Sequence, residues 1–130
     1  MGKTGPGAIV LDAGALIAFE RADPRMRALL REVLRQGTRL IVPAAVLGQV
    51  WRDGARQVVL RALLSGPTTE VPSLDRVLAE AAGVLCGRTK TADVVDASVV
   101  LVARATRAVV ISSDEGDLHH LDPALPIQAI

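Results

Sequence analysis

The sequence predicts an α/β fold in which a short, mostly parallel central sheet is covered by helices on both faces, giving three layers. Strand and helix patterns alternate from one end of the chain to the other, which is typical of this class. The clearest strand segments, AIVL, RLIV and AVVIS, are almost entirely apolar, as expected of parallel strands buried on both faces. The chain has 130 residues, half of them apolar, which is enough for one domain with a real core.

The first half of the chain is predicted to hold two strands and the helices that follow them. Asp23 precedes a proline that opens the second helix, and Gly37 is the expected C′ residue that ends it. Pro43 lies in the first turn of the next helical region, for which a break near Gly54 is considered. The predicted elements are a strand over 8–11, a helix over 14–21, a helix from Pro24, a strand over 39–42 and a helical region from Pro43 to about Leu64.

The second half follows the same alternation after a clear break at Ser65-Gly66-Pro67. Ser73 is predicted to cap the next helix, and residues 87–91 are predicted to form a loop. The predicted elements are a weak strand over 68–71, a helix over 74–86, a strongly apolar helix over 93–105, a strand over 108–112 and a last short strand over 126–129.

These patterns divide the chain into a flexible N-terminal tail, residues 1–7, and a single domain, residues 8–130. Cys86 is the only cysteine, which excludes a disulfide framework and favours a small core residue. No apolar run approaches about 18 residues, and the opening MGKTGPG lacks the apolar region of a signal peptide. We therefore expect a cytoplasmic protein. The apolar surplus indicates a further buried surface, such as a homodimer or partner interface.

Charge is unevenly distributed along the chain although the net charge is only +1. Residues 1–65 carry ten basic and five acidic side chains, and residues 66–130 carry five and nine. Thirteen of the fifteen cations are Arg. The pattern fits either solvated helix faces or a basic rim that holds a phosphate-rich substrate around an acidic pocket.

Four carboxylates are predicted to meet at one edge of the sheet. Asp12 directly follows the first strand, and Asp114 follows the strand AVVIS by one residue. Asp93 and Asp96 are three residues apart near the start of a helix and share a face. Ligands of open α/β sheets bind outside the carboxyl ends of the strands. Taken singly, Asp12, Asp93 and Asp114 are also candidate helix caps, and Asp96 is a candidate buried, hydrogen-bonded acid.

Such a cluster requires a cation. Two carboxylates about 4 Å apart repel by about 4 kcal/mol at an effective dielectric constant near 20. An all-oxygen cluster suits Mg²⁺ or Mn²⁺. The stretch VVISSDEGDL also contains Glu115 and Asp117, which either join the cluster or are simply solvated. His119 and His120 are expected to be surface residues, so zinc is disfavoured.

Four stretches, in this order, resemble those of PIN-domain ribonucleases, in particular the VapC-type toxins of bacterial toxin–antitoxin pairs. No single stretch is specific, but their order and spacing over nearly the whole chain are fairly specific. The stretches are IVLDAGALIAF with Asp12, VPAAVLGQVWRDG with Gln49, VVDASVVLVARA with Asp96 and VVISSDEGDL with Asp114 and Asp117.

The chain departs from the family pattern at two positions. The residue after Asp12 is commonly Thr or Ser in the family, whereas here it is Ala13. In the family, the helix after the second strand carries an acidic residue, and the matching position here is occupied by Gln49. An amide oxygen can ligate Mg²⁺ but brings no charge. The binding of a second ion, and a turnover rate that depends on it, are therefore open questions. The other interpretation of Gln49 is an ordinary helix surface residue.

The resemblance implies a Mg²⁺- or Mn²⁺-dependent endoribonuclease that leaves 5′-phosphate and 3′-hydroxyl ends. It implies metal ligation by Asp12, Asp96 and Asp114, assisted by Asp93 and Gln49, with Asp117 as a further catalytic residue. It also implies a small cognate antitoxin that directs a basic side chain toward the acidic pocket, and the apolar surplus favours a homodimer. The charge pattern adds Arg21, Arg25 and Arg52 as candidate contacts to the RNA backbone.

Two other classes of protein remain open from the sequence. Gln49 keeps open a non-catalytic or weakly active PIN-like binding module. A phosphoryl-handling α/β enzyme is the less favoured alternative. A haloacid-dehalogenase-type phosphatase needs Asp-x-Asp after the first strand, but Ala13 and Gly14 follow Asp12. A response-regulator receiver needs a Lys at a late strand end, whereas Lys90 falls in a predicted loop.

Overall fold

The computed structural model describes residues 7–130. The tail predicted over residues 1–7 therefore lies, apart from Gly7, outside the described residues, and the division into tail and domain stays a prediction. The strands are β1 (Ala8–Leu11), β2 (Arg39–Ile41), β3 (Thr69–Glu70), β4 (Val109–Ser112) and β5 (Ile127–Ala129). The helices are α1 (Ala13–Glu20), α2 (Pro24–Arg35), α3 (Ala44–Val50), α4 (Val58–Leu64), α5 (Arg76–Thr89), α6 (Val94–Thr106) and α7 (Glu115–Leu121).

The five strands form one parallel sheet in the order β3-β2-β1-β4-β5. Strand β1 is central. The chain first adds β2 and β3 on one side of it and then crosses to the other side, where it adds β4 and β5. The point at which the order reverses therefore lies between β1 and β4, where a crevice opens at the carboxyl ends of the strands.

The direction of each crossover decides which face of the sheet its helices cover. Crossover connections between parallel strands are almost always right-handed. The step from β1 to β2 and the step from β3 to β4 run in opposite directions across the sheet, so their helices lie on opposite faces. Consistent with this, α1 packs against α2, α3 and α4, whereas α5, α6 and α7 pack against one another. The predicted three-layer α/β/α fold is confirmed.

The core is built almost entirely from aliphatic side chains of the sheet and the inner helix faces. Every residue of β1 is buried, and Val110 and Ile111 of β4 have no exposed surface. Cys86 is a free, buried cysteine in this core, as predicted. The two aromatic residues, Phe19 and Trp51, are only partly buried at its edge. Across residues 7–130, none of the helices combines the length and the apolar character needed to cross a bilayer.

The predicted breaks of the first half are largely correct. Gly37 follows α2 in the left-handed conformation, with φ 68°. The helical region after Pro43 is interrupted between Trp51 and Gln57, around Gly54, so it forms the two helices α3 and α4. Pro43 is the N-cap residue of α3 and lies just before its first turn.

The predicted bounds of α5 are wrong at both ends. Ser73 does not cap the helix. Asp75 does, and its side chain accepts a hydrogen bond from the backbone N–H of Leu78 at 2.9 Å. The loop predicted from Gly87 is still helix, because α5 continues to Thr89 and ends at Lys90 in the left-handed conformation.

Helix α7 was not predicted at all. It has seven residues, and only Leu118 and Leu121 are buried. It contains Asp117, one of the candidate site residues, and follows directly after Asp114.

Candidate metal centre

Asp12 is fixed at the carboxyl end of β1. Leu11 pairs with Ile111 of the neighbouring strand, so the next residue along each strand brings Asp12 beside Ser112. One carboxylate oxygen, Oδ1, accepts a hydrogen bond from the backbone N–H of Ala15 at 2.9 Å and caps α1. The other, Oδ2, accepts a hydrogen bond from the Ser112 hydroxyl. Asp12 is therefore a helix cap and, being only 5% exposed, a rigid wall of the site.

Ser112 connects the two carboxylates that follow the central strands. Its buried hydroxyl donates to Asp12 and accepts a hydrogen bond from the backbone N–H of Asp114 at 2.7 Å. Asp114 occupies the N-cap position of α7, but its side chain makes no capping hydrogen bond. The carboxylate therefore does not accept hydrogen bonds from the first backbone N–H groups of this helix. Ser112 lies in the stretch VVISSDEGDL, but nothing in that pattern predicts a role for it.

The first turn of α6 contributes two further acids. Asp93 is the N-cap of α6, and its Oδ1 accepts a hydrogen bond from the backbone N–H of Asp96 at 2.9 Å. The cap interpretation is thus correct for Asp12 and Asp93 without removing either from the site. Asp96, Asp114 and Asp117 each place one carboxylate oxygen within 4.8 Å of the others. Neither Asp12 nor Asp93 belongs to that closest group.

Burial and mutual repulsion perturb these acids. The pKa of Asp96 is raised to about 7, first because the carboxylate is partly buried and then because Asp93, Asp114, Asp117 and Asp12 surround it with negative charge. Burial also raises the pKa of Asp12, although the Ser112 hydroxyl and backbone N–H groups favour its charged form. Burial and the neighbouring carboxyl group of Asp117 raise the pKa of Asp114. The cluster therefore carries more negative charge than its surroundings compensate.

All of these acids except Asp117 line a central cavity of about 350 Å³. Gln49, from α3, lies on the wall of this cavity. A residue that assists in binding a metal ion there must occupy such a position. Gly14 lies at the start of α1, where an added Cβ would be 1.8 Å from the Ser113 Oγ, so glycine permits this close approach. The central cavity is lined by Asp12, Ala13, Gly14, Val46, Gln49, Asp93, Val95, Asp96, Ser113 and Asp114.

Two further cavities adjoin the central one. The first, called here the Arg21 cavity, has a volume of about 430 Å³ and shares Gly14 and Ser113 with it. The second, called here the His120 cavity, has a volume of about 200 Å³ and shares Asp93 and Asp96 with it. The three cavities are therefore adjacent, and the central one lies between the other two.

The three arginines proposed to contact RNA are placed differently. Arg21 lines the Arg21 cavity, and among the described residues its side chain has no hydrogen bond or ion pair. The Arg52 guanidinium donates to the backbone carbonyl oxygens of Gly48 and Trp51. Neither Arg25 nor Arg52 lines any of the three cavities. The structure thus places one of the three beside the carboxylates.

The two histidines are not simple surface residues. His119 is half-buried, and its Nε2 lies 3.0 Å from the carbonyl oxygen of Leu125. His120 is exposed, lines the His120 cavity, and has its Nε2 2.7 Å from the carbonyl oxygen of Thr89. The sequence did not reveal this, because α7 and the extension of α5 to Thr89 were both missed.

The donor set fits a hard divalent cation. Three carboxylate oxygens converge within 4.8 Å, and the described part of the chain places no sulfur or imidazole ligand in this group. Oxygen-only ligation is the preference of Mg²⁺ and Mn²⁺. A bound cation would also offset the charge that raises the pKa of Asp96.

Fold and site together define an α/β protein with a carboxylate cluster at the switch point of an all-parallel sheet. The family model for the PIN domain matches residues 9–122, and the chain belongs to the PIN-domain family. Members of this family are generally nucleases. The resemblance predicted from the sequence is thereby confirmed.

Solved structures share the fold at low sequence identity. VapBC2 from Rickettsia felis, bound to a DNA fragment from its promoter, superposes with a TM-score of 0.71 and 15% identity, over 95% of this chain and 98% of the other. FitAcB from Neisseria gonorrhoeae gives 0.66 and 16%, over 92% and 95% of the two chains. FitAB bound to the IR36 DNA fragment gives 0.66 and 14%, over 93% and 94%. No curated protein sequence shows significant similarity to this chain.

Proposed function

We propose that the chain is a VapC-type toxin that acts as a metal-dependent endoribonuclease. The observation that supports this most directly is the convergence of the Asp96, Asp114 and Asp117 carboxylates at the switch point of a PIN-domain sheet. The structural neighbours, which are PIN toxins of the VapBC and FitAB type, agree with the proposal.

In this proposal, Asp96 and Asp114 would hold Mg²⁺ or Mn²⁺ together with Asp117, which completes the converging group, and with Asp12, while Asp93 and Gln49 would assist from the cavity wall. Such an ion would supply activation of a water for in-line attack on a phosphodiester and would stabilise charge on the phosphoryl oxygens. Asp12 contributes a carboxylate whose orientation is already fixed by Ser112 and Ala15. This rigidity reduces the reorganisation needed when the substrate arrives.

The substrate is proposed to lie along the three adjoining cavities, with the scissile phosphate at the centre. Arg21 would pair with a phosphate of the neighbouring nucleotide in the Arg21 cavity, since its guanidinium makes no hydrogen bond or ion pair among the described residues. Water adds to phosphorus, the bond to the 3′-oxygen breaks, and that oxygen takes up a proton. The products carry 5′-phosphate and 3′-hydroxyl ends.

Cleavage of a random-sequence single-stranded RNA 20-mer pool tests the proposal. We expect cleavage with Mg²⁺ or Mn²⁺, none in EDTA, and products that a 5′-phosphate-dependent exonuclease degrades. Asp96→Asn should abolish cleavage. Asp75→Asn is the matched control, because this acid caps α5 outside the cavities and Asn caps a helix equally well. Equal cleavage by Asp96→Asn and the wild type would refute the assignment.

A non-catalytic PIN-like binding module is the second candidate. It is favoured by Gln49, a neutral residue where the resemblance implies an acid, on the wall of the central cavity. The same experiment separates the two, because a binding module retains the RNA pool in the presence of Mg²⁺ without shortening it.

A small cognate antitoxin is the proposed protein partner, since the structural neighbours are antitoxin complexes. A groove of about 380 Å³ between α1, α2 and α4 supplies a suitable surface. Leu34 and Val59 are more than 40% exposed there. The Nε of Arg27 is buried in the described structure without a hydrogen-bond partner. The groove therefore suits a segment with apolar side chains and a nearby carboxylate.

A homodimer and a cytoplasmic location complete the proposal. On α5, Val77 is 77% exposed and Val84 is 54% exposed. These residues are seven apart and lie on the same side of the helix. A second copy of the chain would remove such apolar surface from water.

A further inference from the structure

The His120 cavity has a chemical character different from that of the central cavity. It shares Asp93 and Asp96 with the carboxylate site, and its other wall is formed by Thr91, Asp117, His120 and Leu121. Its acids are those of the candidate metal site, so the side chains that set this cavity apart are Thr91 and His120. A substrate that extends from the central cavity into this one meets these two polar side chains.

The contact between His120 and Thr89 decides which hydrogen bond His120 can offer. A carbonyl oxygen can only accept, so the short contact of 2.7 Å to the Thr89 oxygen places the ring hydrogen on Nε2. In the neutral ring, Nδ1 is then a hydrogen-bond acceptor. Among the described residues, the His120 ring contacts only the Thr89 oxygen, through Nε2, and its Nδ1 has no hydrogen-bond partner.

Thr91 adds a second polar group to the same cavity. Its hydroxyl oxygen lies 3.4 Å from the backbone N–H of Asp93 and accepts from it, which leaves the hydroxyl hydrogen to be donated. Two residues that line the cavity beside the candidate metal site thus offer an acceptor nitrogen and a donor hydroxyl. A sugar hydroxyl both donates and accepts, so it matches this pair.

We propose that the His120 cavity binds the ribose next to the scissile phosphate and that Nδ1 of His120 accepts a hydrogen bond from its 2′-hydroxyl. His120 is then a specificity-determining residue that distinguishes RNA from DNA, because the 2′-hydroxyl is the group that DNA lacks. This inference rests on the proposed ribonuclease function and extends it to a named subsite.

A single-position deoxy scan tests the proposal. The probe is a single-stranded RNA 12-mer taken from the best-cleaved sequence of the random pool, together with a series in which each nucleotide in turn lacks its 2′-hydroxyl. For the wild type, one substitution beside the scissile bond should lower kcat/KM by roughly five- to tenfold, the factor expected for the loss of one hydrogen bond. His120→Ala should lower kcat/KM on the all-RNA 12-mer by a similar factor and lose sensitivity at that position alone.

Three further variants separate recognition from a structural effect. Asn carries its amide near the position of Nδ1, so His120→Asn should regain part of the sensitivity. Gln carries its amide near Nε2, so His120→Gln should keep the contact to Thr89 but should not regain the sensitivity to the missing 2′-hydroxyl. His119→Ala is the neighbouring control, because His119 lies outside the cavity wall, and it should keep the full sensitivity. If His120→Ala cleaves too slowly, binding of the same oligonucleotides in Ca²⁺ gives the same comparison.

The outcomes distinguish this inference from the function on which it rests. If His120→Ala keeps the deoxy sensitivity of the wild type, the ribose subsite is refuted while the ribonuclease proposal stands. If the wild-type protein cleaves no RNA in the pool under any metal condition, the proposed function fails and the subsite fails with it.

Discussion

Asp12 uses both carboxylate oxygens in hydrogen bonds before any ligand arrives, whereas Asp96 has no such compensation. Asp12 is held by Ser112 and by the backbone N–H of Ala15. Asp96 is partly buried among other acids, and its pKa is raised to about 7. The two residues are adjacent to the same cavity, but their substitutions should have different effects on stability.

Asp96→Asn should raise the melting temperature of the metal-free protein at pH 8 while abolishing cleavage. The amide removes a charge that burial and neighbouring acids make costly. Asp12→Asn should also abolish cleavage, but without a comparable gain, because hydrogen bonds to the charged carboxylate are lost. Melting curves in EDTA measure both. A lower melting temperature for Asp96→Asn would show that its carboxylate is stabilised by contacts other than a cation.

Gln49→Glu should tighten Mn²⁺ binding and lower the stability of the metal-free protein. Gln49 lines the same central cavity as Asp12, Asp96 and Asp114, so a carboxylate there adds attraction for a cation and repulsion when none is bound. If a second ion limits the rate, cleavage should also become faster. Calorimetric titration with Mn²⁺ and melts in EDTA measure the two effects separately. No change in either would mean that Gln49 does not face the ion.

The sequence was informative about individual residues where the local pattern made them exceptional. An acid directly after an apolar strand, such as Asp12, or within an apolar helix, such as Asp96, is visible without a structure. Ser112 and His120 were not visible as site residues, because their roles depend on which residues of other elements lie beside them. The partner of Ser112 is 100 residues away, and that of His120 is 31 residues away.

Strands and long helices were predicted well because their signals are long or strongly apolar. All five strands lie where the pattern placed them, and α6 differs by one residue at each end from the predicted 93–105. Helix α7 was missed because two buried leucines and a glycine in seven residues give too little periodicity. Both Ser73 and Asp75 are favoured caps, so the start of α5 could not be decided from residue type.

The wrong end predicted for α5 has a measurable consequence. Gly87 lies inside the helix, and a Cβ there would meet no atom within 4 Å. Gly87→Ala should therefore stabilise the protein by about 0.5–1 kcal/mol, because Ala loses less conformational entropy in a helix than Gly. Chemical denaturation measures the change.

Gly37→Ala is the matched control for this substitution. Gly37 has φ 68°, where a Cβ costs roughly 1–2 kcal/mol, so the change in stability should have the opposite sign. Destabilisation by Gly87→Ala of the same size would indicate that α5 ends near residue 86, as the sequence pattern suggested.

The apolar groove between α1, α2 and α4 provides a test of partner binding. Leu34→Asp places a charge at an exposed position of the groove, where it should weaken association with the antitoxin by at least tenfold. The fold should survive, because Leu34 already contacts water. Co-purification with the protein of the adjacent reading frame measures the effect, and Val77→Asp on α5 is the control. Equal recovery with both variants would place the antitoxin elsewhere.

The chain contains acidic residues whose pKa is raised by folding and others whose pKa is lowered by folding. The pKa values of Asp12, Asp96 and Asp114 are raised, so the native state binds protons at these groups more tightly than the unfolded chain does. Their contribution to stability is fully present below about pH 4 and is lost as the pH rises through the folded pKa, about 7 for Asp96. Ion-paired acids such as Glu70 and Asp122 have lowered pKa values and change stability only at lower pH.

The free energy of unfolding in EDTA should therefore fall between pH 5 and pH 8, and a divalent cation should oppose that fall. The cation competes with protons for the same carboxylates, so its stabilising effect should be larger at pH 8 than at pH 5. At 100 times its dissociation constant, a ligand contributes about 2.7 kcal/mol. Urea denaturation at both pH values, with EDTA or with millimolar Mn²⁺, measures all four states. Asp96→Asn should flatten the pH dependence in EDTA, whereas Asp75→Asn should not. If Mn²⁺ stabilises the wild type equally at pH 5 and pH 8, the ion does not bind at Asp96.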